Sequence, residues 1–356
     1  MIKWIFNRGI SFKMITFIFL SVSIITTTIF TYIYSVSRNT ILDNLKENSK
    51  LLTLSTVSEV EKVLTAVQKV PDNLSKIIEE ENLSEKQIES MLTSAVANNK
   101  EVFGAAIAFE PEYSKKNKTS MFYVYKKDGR TVANYLSETD YDFQIMDWYL
   151  IPKQLQRPVW SEPYFDEGGG NIVMSTYSVP LYKKENGTKK IIGMLTADLS
   201  LDWLQQLISN IKVYETGYAY MVSRNGSLVT HPKKELIMNA TIFSIAEEAK
   251  SPQLREIGRQ MINGKSSFAE VEYHNIATGK LSWISYAPVK INGWAIGIVY
   301  PIDELLAPLN KLFRIVILLA IVGGFILLGV VVFISNSITN PIRKLALATQ
   351  DRKSVV

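Results

Sequence analysis

Cysteine is absent from the 356 residues of this chain, and histidine occurs only twice. The absence of cysteine excludes disulfide bonds and catalysis by a thiolate. Because the two histidines are His231 and His274, no H-E-x-x-H motif and no paired metal-ligand spacing occurs, and no Ser, His and acid form a recognisable triad. We therefore expect the residues present to have no enzymatic activity and to need neither a metal nor a cofactor.

The interior of the sequence also lacks an excess of positive charge. The chain has a net charge of +5, to which residues 1–37 contribute +3 and residues 335–356 another +3, so residues 38–334 carry a net charge of −1. The basic residues therefore lie at the two ends, and this distribution does not favour nucleic-acid binding.

Two long segments, Met14–Ser37 and Ile315–Ile342, contain no charged residue. Each exceeds the roughly 20 residues that a helix needs to cross about 30 Å of hydrocarbon, so we predict a transmembrane helix in each. A cleaved signal peptide is the alternative for the first segment, although its apolar run is longer than those of typical signals. Basic residues precede the first segment and follow the second, which places both ends in the cytoplasm and residues 38–313 outside.

Between the membrane segments, the pattern indicates a long helix followed by a repeat. Residues 38–70 contain no Gly or Pro, and their apolar residues recur at a helical spacing, which predicts a stalk that either packs on its own domain or forms a dimer seam. The segments YVYKKDGRTV (123–132) and YMVSRNGSLV (220–229) are alike, and each contains a two-residue hairpin signal, Asp128-Gly129 or Asn225-Gly226. Each is followed by further strands and a helix start, so we predict two copies of one α+β unit.

Several motifs resemble those of the double Cache (dCache) sensor domains of bacterial chemoreceptors and sensor kinases. The motifs are the Trp148-Tyr149 pair, W-x-x-P-Y-x-D at 160–166, strands that end at Pro180 and Asp198, and His231-Pro232 in the second copy. The segment SITNPIRKLALAT (337–349) is similar to the opening of a HAMP linker, in which Pro341 would break the membrane helix.

The resemblance implies an α+β fold with two tandem PAS-like lobes on a long N-terminal helix, flanked by two transmembrane helices. The expected segments are a cytoplasmic N-terminus (1–13), transmembrane helix 1 (14–37), a long stalk helix (38–71), a membrane-distal lobe (72–200), a membrane-proximal lobe (201–312), transmembrane helix 2 (313–335) and the start of the HAMP linker (336–356).

In amino-acid-binding members of this family, a Tyr, an Arg, a Trp-Tyr pair and an Asp hold the ligand in the distal lobe. The resemblance implies these roles for Tyr141, Trp148, Tyr149 and Asp198, but Met146 stands where the Arg would be. Because Met cannot replace a guanidinium that clamps a carboxylate, the remaining groups favour a small amine or quaternary ammonium, with an amino acid or another small metabolite as the alternative. Further pocket-lining candidates are Tyr123, Tyr164 and Tyr177.

Structural roles compete with these functional ones. Trp148 and Tyr149 could simply pack in the core, and Asp198 could cap the following helix, unless Asp202 does so. A periplasmic protein-interaction module without a small ligand is therefore the competing class of function.

The resemblance further implies a homodimeric receptor in the bacterial inner (plasma) membrane, with residues 38–313 periplasmic or extracellular. A HAMP linker would connect the second membrane helix to an output module, which could belong to a chemoreceptor, a histidine kinase, a cyclase or a phosphatase. The last six residues, DRKSVV, do not continue the helical pattern, and they are compatible with the translation of a sequencing-adapter read. We therefore expect the natural protein to be longer. The missing region would then signal to cytoplasmic partners.

Overall fold

The computed structural model describes residues 10–81, 83–113, 120–136, 141–185 and 187–353. The contacts divide the chain into a unit of Glu47–Glu304 and a second unit made of the two ends. The helices are α1 (Ile10–Glu80), α2 (Glu85–Asn98), α3 (Asp147–Leu155), α4 (Leu201–Ser209), α5 (Ile242–Glu248), α6 (Pro252–Ile262), α7 (Ile302–Leu305) and α8 (Ala307–Lys353). The strands are β1 (Gly104–Phe109), β2 (Ser120–Lys127), β3 (Arg130–Tyr135), β4 (Val159–Trp160), β5 (Tyr164–Phe165), β6 (Val173–Glu185), β7 (Thr188–Ser200), β8 (Tyr218–Val222), β9 (Leu228–Thr230), β10 (Ser267–His274), β11 (Leu281–Val289) and β12 (Trp294–Pro301).

Helix α1 is 71 residues long and continues through Pro71 to Glu80, beyond the predicted end of the stalk at residue 71. The proline removes one backbone donor, but the helix is held on both sides of it because Val70 and Ser75 are buried. Val60, Leu64 and Val67 are fully buried at a spacing of three to four residues, so this part of α1 packs on the core of its own domain.

Two helices are long and apolar enough to cross a membrane, by length and composition: Ile15–Glu80 within α1 and Ala307–Ile338 within α8. The predicted break at Pro341 is wrong, because α8 continues through this residue to Lys353. One lost backbone hydrogen bond does not end a helix whose flanking residues keep theirs. The helix thus includes the first half of the DRKSVV tail, and residues 354–356 lie outside the described residues.

The first lobe contains an antiparallel sheet with the strand order β3-β2-β1-β7-β6-β4, and β5 also pairs with β6. Asp128 and Gly129, with φ angles of 49° and 73°, form a two-residue hairpin between β2 and β3, as the sequence predicts. On one face of this sheet, an aromatic core cluster includes Tyr123, Phe143 and Trp148. Helix α2 packs against β1, β2 and β3.

The second lobe contains a five-stranded antiparallel sheet with the order β10-β11-β12-β8-β9. The prediction of a two-residue hairpin at Asn225-Gly226 is wrong, because residues 223–227 separate β8 from β9. The predicted repeat is also offset by one strand. Strand β8 lies beside β12 as β1 lies beside β7, so the counterpart of β8 is β1 and not β2. With this offset, the order β2-β1-β7-β6-β4 of the first lobe matches β9-β8-β12-β11-β10 of the second, which is the PAS-like arrangement, and β3 is an additional edge strand of the first lobe.

The two lobes are joined by a contact at Arg224, in the loop after β8. Its Nε donates a hydrogen bond to Glu162 Oε1 (2.8 Å), and its Nη2 donates to the backbone oxygen of Trp160 (3.0 Å). Helix α1 contacts the second lobe through polar groups, since Thr53 Oγ1 donates to Ser285 Oγ over 2.7 Å. The segment that follows β4 is therefore tied to the second lobe.

Candidate ligand-binding site

The candidate site is built around Asp198, near the end of β7. Asp198 pairs with Gly104 of β1 on one side and with Thr176 of β6 on the other. Thr176 Oγ1 donates a hydrogen bond to Asp198 Oδ1 (2.8 Å). A Cβ on Gly104 would lie 2.9 Å from Asp198 Oδ2 and 2.7 Å from the Tyr123 hydroxyl, so only glycine leaves room for both groups. The central strands thus hold a carboxylate inside the lobe.

Tyrosine hydroxyls surround this carboxylate. The Tyr164 hydroxyl is 2.8 Å from Thr176 Oγ1, which extends the hydrogen-bonded chain from Asp198. The buried Tyr123 hydroxyl lies beside Asp198 Oδ2 and donates a hydrogen bond of poor geometry to this carboxylate. Burial first, and the neighbouring carboxylates next, raise the pKa of both tyrosines well above its ordinary value, so both keep their protons at neutral pH.

A second carboxylate, that of Asp166, follows β5. Its Oδ1 accepts a hydrogen bond from the Tyr141 hydroxyl (2.7 Å), and its Oδ2 accepts one from the backbone N–H of Gly170 (2.6 Å). Trp148 Nε1 donates to the Tyr141 hydroxyl over 3.4 Å. Asp166 therefore ties the glycine-rich loop 166–171 to the aromatic residues that precede and begin α3.

The two carboxylates are electrostatically coupled. Burial, followed by the charge of Asp166, raises the pKa of Asp198 to about 7, while hydrogen bonds from Thr176 and from Tyr123 lower it in part. Burial also raises the pKa of Asp166, against the lowering effect of its bonds from Gly170 and Tyr141. Within the described ranges, neither carboxylate forms an ion pair with Lys or Arg. Two acids are thus held in a low-dielectric site without a basic partner in the described residues, so their ionised forms are costly unless a proton or a cation neutralises them.

Helix capping does not account for Asp198. The cap of α4 is Ser200, whose Oγ accepts a hydrogen bond from the backbone N–H of Trp203 (3.4 Å). Asp202 lies in the first turn of α4 and is exposed. Neither Asp198 nor Asp202, the two predicted caps, therefore caps α4. Asp198 is also only 3% exposed. A buried acid that caps nothing calls for another explanation.

Most of the predicted site residues lie together. Tyr123, Trp148 and Tyr149 belong to one core cluster, and Tyr141, Met146 and Tyr164 pack against it. Met146 is the residue before α3 and is partly buried, so a thioether occupies the place where the resemblance expects a guanidinium.

Tyr149 and Tyr177 direct their hydroxyls elsewhere. The Tyr149 hydroxyl donates to Glu110 Oε1 (2.6 Å), beside the ion pair of Glu110 with Lys153. The Tyr177 hydroxyl donates to Asp72 Oδ1 on α1 over 3.2 Å, and the ring lies against Trp160. Successive side chains on a strand point to opposite faces, so Thr176 faces the carboxylate and Tyr177 faces away from it. The expectation that Tyr177 reaches into the pocket does not agree with this placement.

Three residues of the site were not among the predicted ligand contacts. Asp166 is visible in the sequence as the last residue of the W-x-x-P-Y-x-D motif, but only the fold brings it near Asp198. Thr176 and Gly104 carry no local signal, because their positions depend on the pairing of β6 and β1 with β7. The described residues contain no group of three or more His, Asp or Glu side chains that could hold a metal ion.

The site is closed in this structure. Asp198, Tyr123 and Trp148 are 3%, 2% and 4% exposed, so a ligand can reach them only if the covering segments move. The loop 166–171 is one such cover, since a Cβ on Gly170 would lie 3.1 Å from the Tyr123 hydroxyl. A separate surface groove of about 760 Å³ runs along α1, where Lys62, Thr65 and Lys69 line it.

Comparison with known families agrees with the tandem fold. Residues 88–206 match the model of the methyl-accepting chemotaxis protein-like first PDC sensor domain, and residues 173–314 match that of the Cache 3/Cache 2 fusion domain. Together the two matches cover residues 88–314. The unit that holds the site is a tandem sensor domain.

Relatives of known class support the same conclusion. The chain is 26% identical over 215 residues to the methyl-accepting chemotaxis protein McpC of Bacillus subtilis, which covers 59% of this chain and 28% of McpC. It is 27% identical over 237 residues to PctB of Pseudomonas aeruginosa, which covers 64% of this chain and 34% of PctB. The chain therefore spans about a third or less of the length of these relatives.

Solved structures show the same fold. The extracellular domain of the putative histidine kinase mmHK1S-Z3 aligns with a TM-score of 0.62 at 23% identity, over 75% of this chain and 97% of that domain. The ligand-binding domain of PctB in complex with L-Gln aligns with a TM-score of 0.51 at 20% identity, over 76% of this chain and 98% of that domain. We conclude that residues 88–314 form a double Cache sensor domain of the kind found in chemotaxis receptors.

Proposed function

We propose that this chain is the sensing and membrane portion of a bacterial receptor, and that its first lobe binds a small protonated amine or quaternary ammonium. The observation that carries the proposal is the buried acid Asp198, which lies among aromatic rings without a basic partner in the described residues. The curated relatives are chemotaxis receptors, which supports a sensory role.

An ammonium group fits the chemistry of this site. Asp198 would accept its N–H groups, the Tyr123 hydroxyl oxygen would offer a further acceptor, and the Trp148 ring would present its electron-rich face. A desolvated cation over an aromatic ring contributes about 0.5–2 kcal/mol, and a hydrogen bond to a charged group about 1.5–3 kcal/mol. Micromolar binding needs about 8 kcal/mol, so these contacts have to act together with the burial of the carbon chain.

An amino acid is the second candidate, because the PctB ligand-binding domain was solved with L-Gln and with L-Arg. An amino acid adds a carboxylate, which would enter a site that already contains two acids. Met146 cannot donate a hydrogen bond to it. Because no basic side chain among the described residues pairs with Asp198, the site favours a ligand without a carboxylate.

The remaining parts of the proposal concern the membrane and the signal. Residues 14–37 and 313–335 would cross the inner membrane, residues 38–313 would lie in the periplasm, and the receptor would be a homodimer. Ligand binding would reposition α1 or the second lobe, and α8 would pass the change to an output module beyond residue 356. The contact of Arg224 with the segment that follows β4 supports a connection between the site and the second lobe.

The experiment compares isobutylamine with L-valine, which share a carbon chain and an amine and differ by the carboxylate. The full chain is placed in lipid nanodiscs, and thermal unfolding of the sensor domain is followed by tryptophan fluorescence. At a hundred times its dissociation constant, a ligand stabilises the folded state by about 2.7 kcal/mol. We expect isobutylamine to stabilise the protein at a lower concentration than L-valine does.

The matched variants are Asp198→Asn, which removes the buried charge, and Asp202→Asn, which removes an exposed charge four residues away. We expect Asp198→Asn to abolish the stabilisation by isobutylamine and Asp202→Asn to preserve it. Tighter binding of L-valine would favour the amino-acid alternative. Equal stabilisation of the Asp198→Asn variant and the wild type by isobutylamine would remove the basis of the proposal.

A further inference from the structure

A segment of three residues, 160–162, connects the candidate site to the second lobe. On the side of the first lobe, the backbone N–H of Thr176 donates a hydrogen bond to Ser161 Oγ, and the backbone N–H of Ser161 donates to the carbonyl oxygen of Thr176, each over 2.9 Å. Ser175 Oγ donates a further bond to the carbonyl oxygen of Ser161 (2.9 Å). Thr176 is also the residue whose hydroxyl holds Asp198. A single residue therefore separates the segment from the acid of the site.

On the side of the second lobe, Arg224 holds the same segment. Its guanidinium donates hydrogen bonds to the carbonyl oxygen of Trp160 (3.0 Å) and to Glu162 Oε1 (2.8 Å), so it contacts the residue on either side of Ser161. The stem of Arg224 passes along the loop between β11 and β12, because a Cβ on Gly293 would lie 3.0 Å from its Cγ. The second lobe thus positions the guanidinium, and the guanidinium holds the segment.

The segment continues directly into the cover of the site. Pro163 alone separates it from β5, and the proline ring restricts the backbone at this point. Asp166 follows β5 and accepts a hydrogen bond from the backbone N–H of Gly170 (2.6 Å), in the loop 166–171 that covers the site. A displacement of residues 160–162 is therefore passed over a few residues to the covering loop.

The two attachments of the segment differ in strength. Ser161 and Thr176 are 5% and 1% exposed, so the hydrogen bonds between them are sheltered from water. The side chains of Arg224 and Glu162 are 44% and 34% exposed, and ion pairs that solvent reaches contribute little to stability. The segment is therefore firmly attached to the first lobe and reversibly attached to the second.

We propose that Arg224 is a latch between the lobes, which holds residues 160–162 in place and through them keeps the loop 166–171 closed over Asp198. When the latch opens, the loop is released and the site admits its ligand. By linkage, a ligand that shifts the loop changes the strength of the Arg224 contact by the same free energy. The inference goes beyond the proposed function, because it concerns how the site opens and applies to any ligand that enters.

The test compares Arg224→Ala with Arg255→Ala in the full chain in nanodiscs. Arg255 is the matched control, because its side chain is 42% exposed and pairs with Glu247 within the second lobe. Hydrogen–deuterium exchange without ligand measures the opening of residues 164–177, since hydrogen-bonded amides exchange when the structure around them opens. An exposed ion pair is weak, so we expect Arg224→Ala to raise the exchange rates of these residues about threefold, and Arg255→Ala to leave them unchanged.

A second substitution shows whether the effect passes through Ser161. Ser161→Ala removes the acceptor of the Thr176 N–H, and with it part of the attachment between the segment and the site. If the latch acts through this attachment, Arg224→Ala adds less than its full effect when Ser161→Ala is already present. Effects of the two substitutions that simply multiply would show independent actions and would overturn the latch.

The ligand part of the test uses isobutylamine, with association followed by stopped-flow tryptophan fluorescence. Because the site is closed, the association rate constant is proportional to the open fraction of the protein, so Arg224→Ala should raise it by the same factor as the exchange rates. Equal exchange of residues 164–177 in Arg224→Ala and the wild type would overturn the latch, whichever ligand binds. Failure of isobutylamine to bind would contradict the amine function and would leave the exchange test to decide the latch.

Discussion

Replacement of Asp198 by Asn should make the unliganded protein more stable at alkaline pH. The folded state holds the proton of Asp198 with a pKa of about 7, whereas the ordinary value is 3.8. The folded state binds this proton more tightly than the unfolded state does. The contribution of Asp198 to the free energy of unfolding is therefore greatest below pH 3.8, decreases as the pH rises towards 7, and is constant above that. Asn cannot ionise, so it removes this loss.

The size of the effect follows from the difference in pKa. About three pKa units at 1.36 kcal/mol each amount to about 4 kcal/mol at pH 8. For a folded unit of this size, a gain of 1 kcal/mol raises the melting temperature by about 2–4 °C, so the full effect corresponds to about 8–16 °C. At pH 4 the wild-type carboxyl is neutral, and the variant should have no advantage.

The assay is thermal unfolding of the full chain in nanodiscs at pH 4, 6 and 8, followed by tryptophan fluorescence. Asp202→Asn is the control, because an exposed substitution should change the stability by less than about 0.5 kcal/mol at each pH. A variant that is no more stable than the wild type at pH 8 would refute the reasoning. A gain of the same size at all three pH values would also refute it, because the cause would then not be the ionisation of Asp198.

Two further variants test other parts of the sensor domain. Gly169→Ala places a Cβ 2.2 Å from Asp166 Oδ2. We therefore expect the free energy of unfolding, measured by urea denaturation, to fall by about 1–3 kcal/mol. An unchanged midpoint of the urea transition would show that the loop adapts freely. Glu304 has a pKa lowered to about 2 because hydrogen bonds from Lys280, from Thr216 and from the Glu215 backbone outweigh the effect of burial. Because solvent screens this group, Glu304→Gln should cost about 0.5–1 kcal/mol at pH 7, and the difference from the wild type should shrink as the pH falls from 4.5 towards 2. A difference that persists at pH 2 would contradict this account.

Several features of the fold follow from short stretches of sequence. The two apolar helices are visible as uncharged runs, since hydrocarbon excludes charge over a length that a helix has to span. The hairpin at Asp128-Gly129 is also a local property, because these two residues adopt positive φ angles readily. The same reasoning failed at Asn225-Gly226, where the wider loop 223–227 depends on the backbone pairing of Leu228 with Ala240 and of Ile242 with Gly226.

Helix ends were predicted less well than helices. Pro71 and Pro341 both lie inside helices, because one missing donor is a small loss where neighbouring turns remain hydrogen-bonded. The cap of α4 is Ser200 and not either of the two acids that the sequence offers, since the cap depends on which residue is the last in β7.

The sequence alone determined the kind of protein, namely a tandem sensor between two apolar helices, because hydrophobic runs and short motifs are properties of neighbouring residues. It also identified Asp198 and the aromatic residues near it as a candidate site. Only the tertiary structure decided that Gly104, Thr176 and Asp166 complete this site and that Tyr177 faces α1. The physical reason is strand pairing: the register of β1 and β6 on β7 sets which side chains share a face, and that register depends on contacts between residues far apart in the chain.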